Sequence, residues 1–358
     1  MSFDGLPEQP EAKRLLAAAL AEGPAHAYLL HGPAGVGKRR AALAFAAGLI
    51  GEERRVLEGN HPDLYVLAPL GEMIRIDEIR ELHRDLHMRP YEADRRVYVI
   101  ESAHLLNEDA ADALLKDLEE PPPYAVILLI ADELGPLPPT ILSRCQLVPF
   151  RRLSGRAVRD FLAERAPALD EAERTALARV AGGRLDRAER LLDPEAAERR
   201  GELLRVARGV YADPDFEPAD AASTLLESAR SRGAAAREQA EAEQERLELT
   251  ARDADQRLRR VERGAEREEL LASLEELASW YRDLVVMAAG AEAAVVHADR
   301  VTELREDATP ERAVDAEAAA EVVREVWRAM EEFNLAPSLT LEALFIRLRR
   351  SFSGALVA

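Results

Sequence analysis

The sequence predicts an α/β domain built on a parallel β-sheet, followed by regions that contain only α-helices. Over about the first 150 residues, short β-rich runs alternate with amphipathic helical patterns, which is typical of a parallel sheet covered by helices on both faces. From Leu153 onwards the apolar residues recur with helical spacing alone. At 358 residues the chain is long enough for two or three domains, each with its own core.

Strands and helices alternate regularly in the first region. The predicted strands are Ala27–His31, Leu64–Leu67, Arg96–Ile100, Ala125–Ala131 and Gln146–Phe150. The predicted helices between them are Lys38–Ile50, Ile76–Met88 and Asn107–Glu120. Asn107 suits the N-cap position, because its side chain can accept a hydrogen bond from the first helical turn. The prolines at positions 121–123 end that helix.

Breaks in the pattern predict three domains, with bounds 1–152, 153–210 and 211–358. The second boundary lies at the proline-containing linker Ala212–Asp220. In the third domain we predict a long charged helix over about residues 228–270. Its weak apolar seam consists of Leu247, Ala251, Ala254, Leu258, Val261 and Ala265. Two interpretations stay open: a coiled-coil arm that meets a partner, or a solvated helical hairpin that closes on its own domain.

Charge and cysteine content exclude several functional classes. The net charge of −19 argues against tight nucleic-acid binding by the chain alone, since phosphate contacts need basic residues. The single cysteine, Cys145, excludes an internal disulfide framework and a multi-thiolate zinc site. The longest apolar stretches, such as Ala125–Ala131, are too short to span a bilayer, and no signal peptide is evident. We expect a cytoplasmic protein without membrane contact.

A phosphate-binding loop is the clearest motif. The loop is Gly32-Pro33-Ala34-Gly35-Val36-Gly37-Lys38. It fits the pattern G-x-x-x-x-G-K and lies directly after a predicted strand and at the start of a predicted helix. Glycines let backbone N–H groups surround a phosphate, and Lys38 can reach the outer phosphates of a nucleotide.

The groups that hydrolyse a nucleotide are missing around this loop. Arg39 stands where Ser or Thr ligates Mg²⁺, and a guanidinium cannot ligate a cation. At the end of the third strand, Glu101 replaces the metal-binding Asp and Ser102 replaces the water-activating Glu. Asp132 follows the fourth strand, where a carboxylate repels phosphate. We expect no hydrolysis and no required cofactor, and weak binding of ATP or ADP stays open.

Four further motifs resemble one family. They are His26–Pro33, Asn60–Asp63, Leu114–Pro122 and Leu137–Gln146. Together they are similar to bacterial clamp-loader subunits of DNA polymerase III, the γ/τ and δ′ components, closely over about residues 5–190 and loosely beyond. This resemblance implies an AAA+ P-loop domain, a small helical lid domain and a helical collar domain. The degraded nucleotide motifs favour the δ′ type over the γ/τ motor type.

The resemblance also implies partners and roles. In this family a pentamer uses ATP to open a sliding clamp and place it on primed DNA, so the implied partners are γ/τ and δ subunits, the clamp, and DNA through the assembly. Arg144 corresponds to an arginine finger that acts on the neighbouring subunit's nucleotide, and the alternative is an arginine that braces its own loop. Arg187 corresponds to a sensor arginine that faces bound nucleotide, and the alternative is a helix-surface arginine.

Three other features complete the comparison with the family. The segment Asn334–Pro337 and the leucines at 339, 341 and 344 resemble the end of the collar, where we expect the leucines to pack. The family's four-cysteine zinc module has no counterpart in Gly51–Gly59, so we expect no zinc. His83 and His87 have the i, i+4 spacing of a metal pair, but Arg84 lies beside them and no Glu follows His83, which favours an exposed pair.

Three functions remain open. The sequence favours a non-hydrolysing clamp-loader subunit that supports clamp loading in replication. The second is an active ATPase, either a γ/τ-like motor or another AAA+ machine such as a branch-migration helicase, with Glu101 serving in catalysis. The third is a nucleotide-binding adaptor unrelated to replication.

Overall fold

The structure, a computed structural model, describes residues 3, 5–69, 73–244, 251–333 and 335–353. The chain separates into two compact units: Met1–Phe161 with Gly183–Asp186, and Leu162–Gly182 with Arg187–Ala358. The predicted domain boundaries at residues 152 and 210 stay predictions.

The first unit is built on a parallel sheet. Its strands, among the residues the structure describes, are β1 (Ala27–His31), β2 (Leu64–Leu67), β3 (Arg96–Ile100), β4 (Ala125–Ala131) and β5 (Gln146–Pro149). Their order across the sheet is β2-β3-β4-β1-β5, and all four pairings are parallel. This confirms the predicted α/β fold. The predicted strands match these bounds, apart from the last, which ends one residue earlier.

The centre of the sheet explains its apolar sequence. Every residue of β4 is buried, and β4 pairs with β1 on one side and β3 on the other. A strand that is covered by helices on both faces needs apolar residues at successive positions, which is why Ala125–Ala131 does not alternate. The carboxyl ends of these parallel strands lie at one edge of the sheet, where α/β proteins bind ligands.

Helices connect and cover the strands of the first unit. They are α1 (Pro10–Glu22), α2 (Lys38–Ile50), α3 (Glu53–Leu57), α4 (Ile76–Leu86), α5 (Glu108–Glu119), α6 (Pro139–Leu142) and α7 (Gly155–Arg165), the last of which continues into the second unit. Asn107 caps α5 as predicted, because its side chain accepts a hydrogen bond from the N–H of Ala110 at 2.9 Å. The helix predicted to reach Met88 ends at Leu86.

The second unit consists of helices around a core of large side chains. From the junction of the two units onwards, the described helices are α8 (Glu171–Ala181), α9 (Leu185–Leu192), α10 (Pro194–Ala212), α11 (Pro218–Gln244), α12 (Ala251–Ala288), α13 (Val301–Asp307), α14 (Pro310–Glu332) and α15 (Pro337–Phe352). Trp280, Tyr281 and Leu284 of α12 are fully buried. Leu341 and Leu344 are buried, as expected. Leu339 is 69% exposed, so the expectation that it packs is wrong. Asn334 lies outside the described residues.

The charged segment at 228–270 belongs to two helices, α11 and α12, and residues 245–250 between them, including Leu247 of the seam, lie outside the described part. Arg237 of α11 pairs with Glu262 of α12 at 2.9 Å. Gly233, one turn earlier, faces Glu266, one turn later, and a Cβ at Gly233 would lie 2.6 Å from the Glu266 Cγ. The two helices therefore run antiparallel, which fits the helical-hairpin interpretation. Within the described residues, none of the helices combines the length and the apolar character that crossing a bilayer requires.

Candidate nucleotide site

The predicted phosphate-binding loop lies at the carboxyl edge of the sheet. It follows β1 and ends where α2 begins at Lys38. Gly32 has φ +135°, and a Cβ there would lie 2.2 Å from the backbone oxygen of Phe150, so only glycine fits. Gly35 has φ +70°, and a Cβ there would lie 1.8 Å from a carboxylate oxygen of Asp186. The loop is thus held closely on two sides.

Lys38 is bonded within the chain. Its Nζ donates to the carbonyl oxygens of Gly32 at 2.6 Å and Pro33 at 2.5 Å, and pairs with Asp132 Oδ1 at 2.8 Å. An ammonium group has three N–H donors, and all three have partners. Burial lowers the pKa of Lys38, and the Asp132 carboxylate opposes that effect. The group that should meet a phosphate already has an anionic partner.

Arg39 and Glu101 form a second ion pair at this site. Arg39 Nε lies 2.5 Å from Glu101 Oε1, directly beyond the end of β3. The two positions that ligate Mg²⁺ in a hydrolytic P-loop site are therefore occupied by a cation and its counter-charge. Ser102, the next residue, has the left-handed value φ +51°, which is unfavourable for a side chain other than Gly, Asn or Asp.

His104 orders the chain around Asp132. Its Nδ1 accepts a hydrogen bond from the backbone N–H of Asp132 at 3.2 Å. Burial lowers the pKa of His104, which favours the neutral ring that such an acceptor requires. His31, at the end of β1, also has a lowered pKa, through burial and then through the charge of Lys38. The site is thus arranged around one buried cation.

Sequence reasoning did not identify residues 184–186, which lie against the loop, although the family resemblance pointed to Arg187 beside them. The N–H of Leu185 donates to the Gly35 carbonyl at 2.7 Å, and the Asp186 carboxylate lies against Gly35. Arg184 Nη2 pairs with Asp186 at 2.8 Å. These residues lie about 150 positions from the loop in the sequence, and no local signal connects them with it.

Arg144, the predicted arginine finger, lies on a different part of the same unit. Its Nη2 is 2.5 Å from Glu119 Oε1 at the end of α5, and its Nη1 donates to the Thr140 carbonyl at 2.9 Å. The side chains of Arg144 and Glu119 are 33% and 51% exposed. Ion pairs between exposed groups contribute about 0–1 kcal/mol, so this contact holds Arg144 only weakly.

Arg187, the predicted sensor, lies in the helical unit. Its guanidinium donates to Glu276 and lies 3.8 Å from Glu275. Glu276 also accepts from Arg200, which pairs with Asp299 at 2.7 Å. A role for Arg187 toward nucleotide stays a prediction.

Most of the predicted site residues lie together at the loop, whereas Arg144 and Arg187 each make separate contacts. Gly32, Pro33, Lys38 and Asp132 meet at the loop, with the Arg39–Glu101 pair at the adjacent strand end. Of the acidic side chains that follow the strands, Glu101 pairs with Arg39 and Asp132 pairs with Lys38. This geometry presents a nucleotide-binding scaffold whose charges are already paired.

The fold and the loop define a P-loop domain of the AAA+ class: a five-stranded parallel sheet with the loop after a central strand. Residues 8–154 match the family model of the DNA polymerase III delta subunit. Over this region the chain is similar to clamp-loader subunits of DNA polymerase III, and these matches confirm the predicted resemblance.

Relatives support this assignment over part of their length. DNA polymerase III subunit delta' of Bacillus subtilis is 36% identical, across 39% of this chain and 46% of the relative. The delta' subunit of Pseudomonas aeruginosa is 34% identical, across 57% of this chain and 65% of the relative. Subunit tau of B. subtilis is 32% identical, across 51% of this chain and 35% of the relative. The chain thus spans between about half and two thirds of these delta' relatives.

A solved structure covers more of the chain at lower identity. A gamma subunit-related protein of Thermotoga maritima is 18% identical with a TM-score of 0.47, across 96% of this chain and 99% of that chain. The family resemblance rests on the sequence matches, and the fold on the sheet itself.

Proposed function

We propose that this protein is the non-hydrolysing, delta-prime-type subunit of a DNA polymerase III clamp loader. In this proposal it assembles with gamma/tau and delta subunits and supports the loading of a sliding clamp onto primed DNA. It contacts DNA through the assembly, since its net charge of −19 opposes tight binding alone. It works in the cytoplasm and requires no nucleotide of its own.

The observation that carries the proposal is the paired charge of the nucleotide site. Lys38 is 4% exposed and bonded to Asp132, so this pair carries most of the weight. Arg39 is bonded to Glu101, but its side chain is 61% exposed and this pair is weaker. A phosphate would have to displace the Asp132 carboxylate, and Mg²⁺ would meet the Arg39 guanidinium. Hydrolysis needs a bound metal and a carboxylate that activates water, and neither requirement fits this arrangement.

Arg144 supports a role toward a neighbouring subunit. A planar, permanently charged guanidinium stabilises the charge that develops on a transferring phosphoryl group. The partly exposed pair with Glu119 can open at little cost. We therefore propose that Arg144 leaves Glu119 and acts on nucleotide held by the adjacent motor subunit.

The test is ATP turnover by a reconstituted assembly of this chain with gamma/tau and delta subunits. The other nucleotide sites are inactivated by substitution of their own loop lysines, so that turnover reports the site next to this chain. Arg144→Ala should lower that turnover by about 10³-fold or more. The purified chain alone should show no turnover.

Two control variants separate a finger from a structural brace. Glu119→Gln removes the brace and keeps Arg144, so turnover should persist if Arg144 is a finger and should fall like that of Arg144→Ala if it only braces the loop. Arg54→Ala removes another arginine of the same unit that is 88% exposed, and should have no effect. Normal turnover with Arg144→Ala would contradict the proposal.

An active motor is the second candidate, favoured by the matches to tau subunits at 31–32% identity over about half the chain. It requires Lys38 to release Asp132 and Glu101 to release Arg39 when nucleotide binds. Steady ATP turnover by the purified chain, abolished by Lys38→Ala, would support the motor and overturn the non-hydrolysing role.

A further inference from the structure

The surface formed by α4 and α5 brings three metal-ligating side chains together. They are His83 and His87 of α4 and Asp117 of α5. One ligand atom from each lies within 4.8 Å of the others. The histidines are exposed and the aspartate is buried, so the group is open to solvent on one side and fixed on the other.

The two helices hold this group in place. Residues four apart lie on one face of a helix, and the rings of His83 and His87 are 4.7 Å apart between centroids. The apolar face of α4, formed by Ile79, Leu82 and Leu86, is buried in the unit's core. The histidines therefore project from a helix whose orientation is set by packing.

Asp117 is the side chain that distinguishes this group from an exposed histidine pair. It is only 2% exposed. Its Oδ1 lies 2.6 Å from His83 Nδ1. Its other oxygen, Oδ2, is shielded from solvent and has no hydrogen-bond partner within the described part of the chain. A buried carboxylate with an unpartnered oxygen is unfavourable, and a cation bound to Oδ1 of the same carboxylate would supply the missing counter-charge.

A second group of similar composition shows the contrast. Glu52, His61 and Glu92 also lie within ligand distance of one another. Arg55 already lies between the two carboxylates, 2.9 Å from Glu52 and 2.6 Å from Glu92. That group has its cation from the chain itself, whereas no such cation is bonded to Asp117 among the described residues.

We propose that His83, His87 and Asp117 bind a divalent transition metal of the Zn²⁺ type, with a fourth position open to water. Two imidazoles and one carboxylate suit Zn²⁺, whereas Mg²⁺ and Ca²⁺ require a shell of oxygens. The ion replaces the proton between His83 Nδ1 and Asp117 Oδ1, and that proton passes to solvent. Tetrahedral ligands about 2.0–2.1 Å from zinc lie roughly 3.3 Å apart, so these two atoms separate by less than 1 Å.

This site is distinct from the nucleotide site and from the cysteine module that the family carries. It revises the expectation of no zinc, which rested on the missing cysteines and on the exposed histidine pair. Cys145 is no competing ligand, because burial raises its pKa to about 12 and keeps the thiol protonated. A bound ion would connect α4 to α5, the helix that also carries Glu119, the partner of Arg144.

The test is equilibrium dialysis of the full chain against Zn²⁺ alone, in a buffer that does not chelate metals, with the bound metal counted per chain. One ion per chain is expected. Loss of a group that merely positions a metal ligand weakens binding by about 10–100-fold, so His87→Ala and Asp117→Asn should each weaken it at least tenfold. Co²⁺ in place of Zn²⁺ should give the visible absorption of a four-coordinate ion, and both variants should lose it.

Two controls keep the test decisive. His26→Ala removes another exposed imidazole of the same unit and should leave binding unchanged. His87 is exposed, so its replacement tests the site even if Asp117→Asn disturbs folding. Absence of zinc binding, or equal binding by the parent chain, His87→Ala and Asp117→Asn, overturns the proposal.

Discussion

Replacing Asp132 by Asn tests whether the chain's own carboxylate closes the nucleotide site. The substitution preserves the shape of the side chain and removes the charge that lies 2.8 Å from Lys38 Nζ. An incoming phosphate then neither competes with an anion for Lys38 nor is repelled by one. We expect Asp132→Asn to bind ADP more tightly than the parent chain does.

The size of the gain follows from the geometry of the pair. Two unit charges 4 Å apart attract by about 4 kcal/mol at an effective dielectric constant of 20. Asp132 is 44% exposed, so water screens the pair and the contribution is smaller. Hydrogen bonds to charged groups contribute about 1.5–3 kcal/mol. The affinity for ADP should therefore rise by about 10- to 150-fold.

Isothermal titration calorimetry with ADP measures this change. The titration is done without Mg²⁺, because Arg39 lies where a metal ligand is needed. Glu133→Gln is the matched control, since it removes the adjacent, exposed carboxylate and leaves the Lys38 pair intact. Equal affinity of Asp132→Asn and the parent chain, or tight ADP binding by the parent chain itself, would refute the reasoning.

Three further predictions concern stability and reactivity. Burial lowers the pKa of His297, but hydrogen bonds to Asp283 and Glu276 outweigh burial and raise it. The stability that the charged ring adds is therefore present below about pH 6.5 and is lost as pH rises through the folded pKa. Urea unfolding from pH 6 to 9 should show a decline in the free energy of unfolding, and His297→Gln should remove that decline. A Cβ at Gly32 would lie 2.2 Å from a backbone oxygen in a left-handed conformation, so Gly32→Ala should lower the free energy of unfolding by at least about 1–3 kcal/mol in thermal or urea unfolding. Because burial raises the pKa of Cys145 to about 12, the native thiolate is about a thousandfold scarcer than that of an ordinary thiol, and iodoacetamide at pH 8 should alkylate the native chain far more slowly than the unfolded one.

The sheet and its loop could be predicted because their signals are local. β4 is a continuous apolar run, and Gly32 and Gly35 occupy positions that only glycine tolerates. Asn107 caps its helix through a bond to a residue three positions away. Such features depend on neighbours in the sequence, so the sequence alone contains them.

The contacts within the candidate sites depend on the fold, because they join residues that are distant in the sequence. The types of these residues therefore predict only some of the contacts. Arg39 and Glu101 each depart from the hydrolytic pattern in the sequence, yet their pairing depends on the fold, which brings the start of α2 next to the end of β3. Asp117 lies 34 positions from His83, and no pattern connects the two. The spacing of His83 and His87 was visible, but the buried carboxylate that completes the group was not.

The charged segment at 228–270 shows a different limit. Its spacing suits a helix along most of its length, and the pattern does not mark where α11 ends and α12 begins. Helical periodicity is the same in one long helix and in two antiparallel ones. Gly233 was the available signal, since a glycine in a helix interior often marks a close approach by a neighbouring helix.

The two ion pairs at the nucleotide site balance its charges without a bound nucleotide. Lys38 and Arg39 each have a counter-charge within the domain, so in the proposed function the pocket needs no nucleotide to balance its positive charges. Within the proposed assembly, such a subunit is a fixed reference against which its neighbours change shape as they load and release nucleotide.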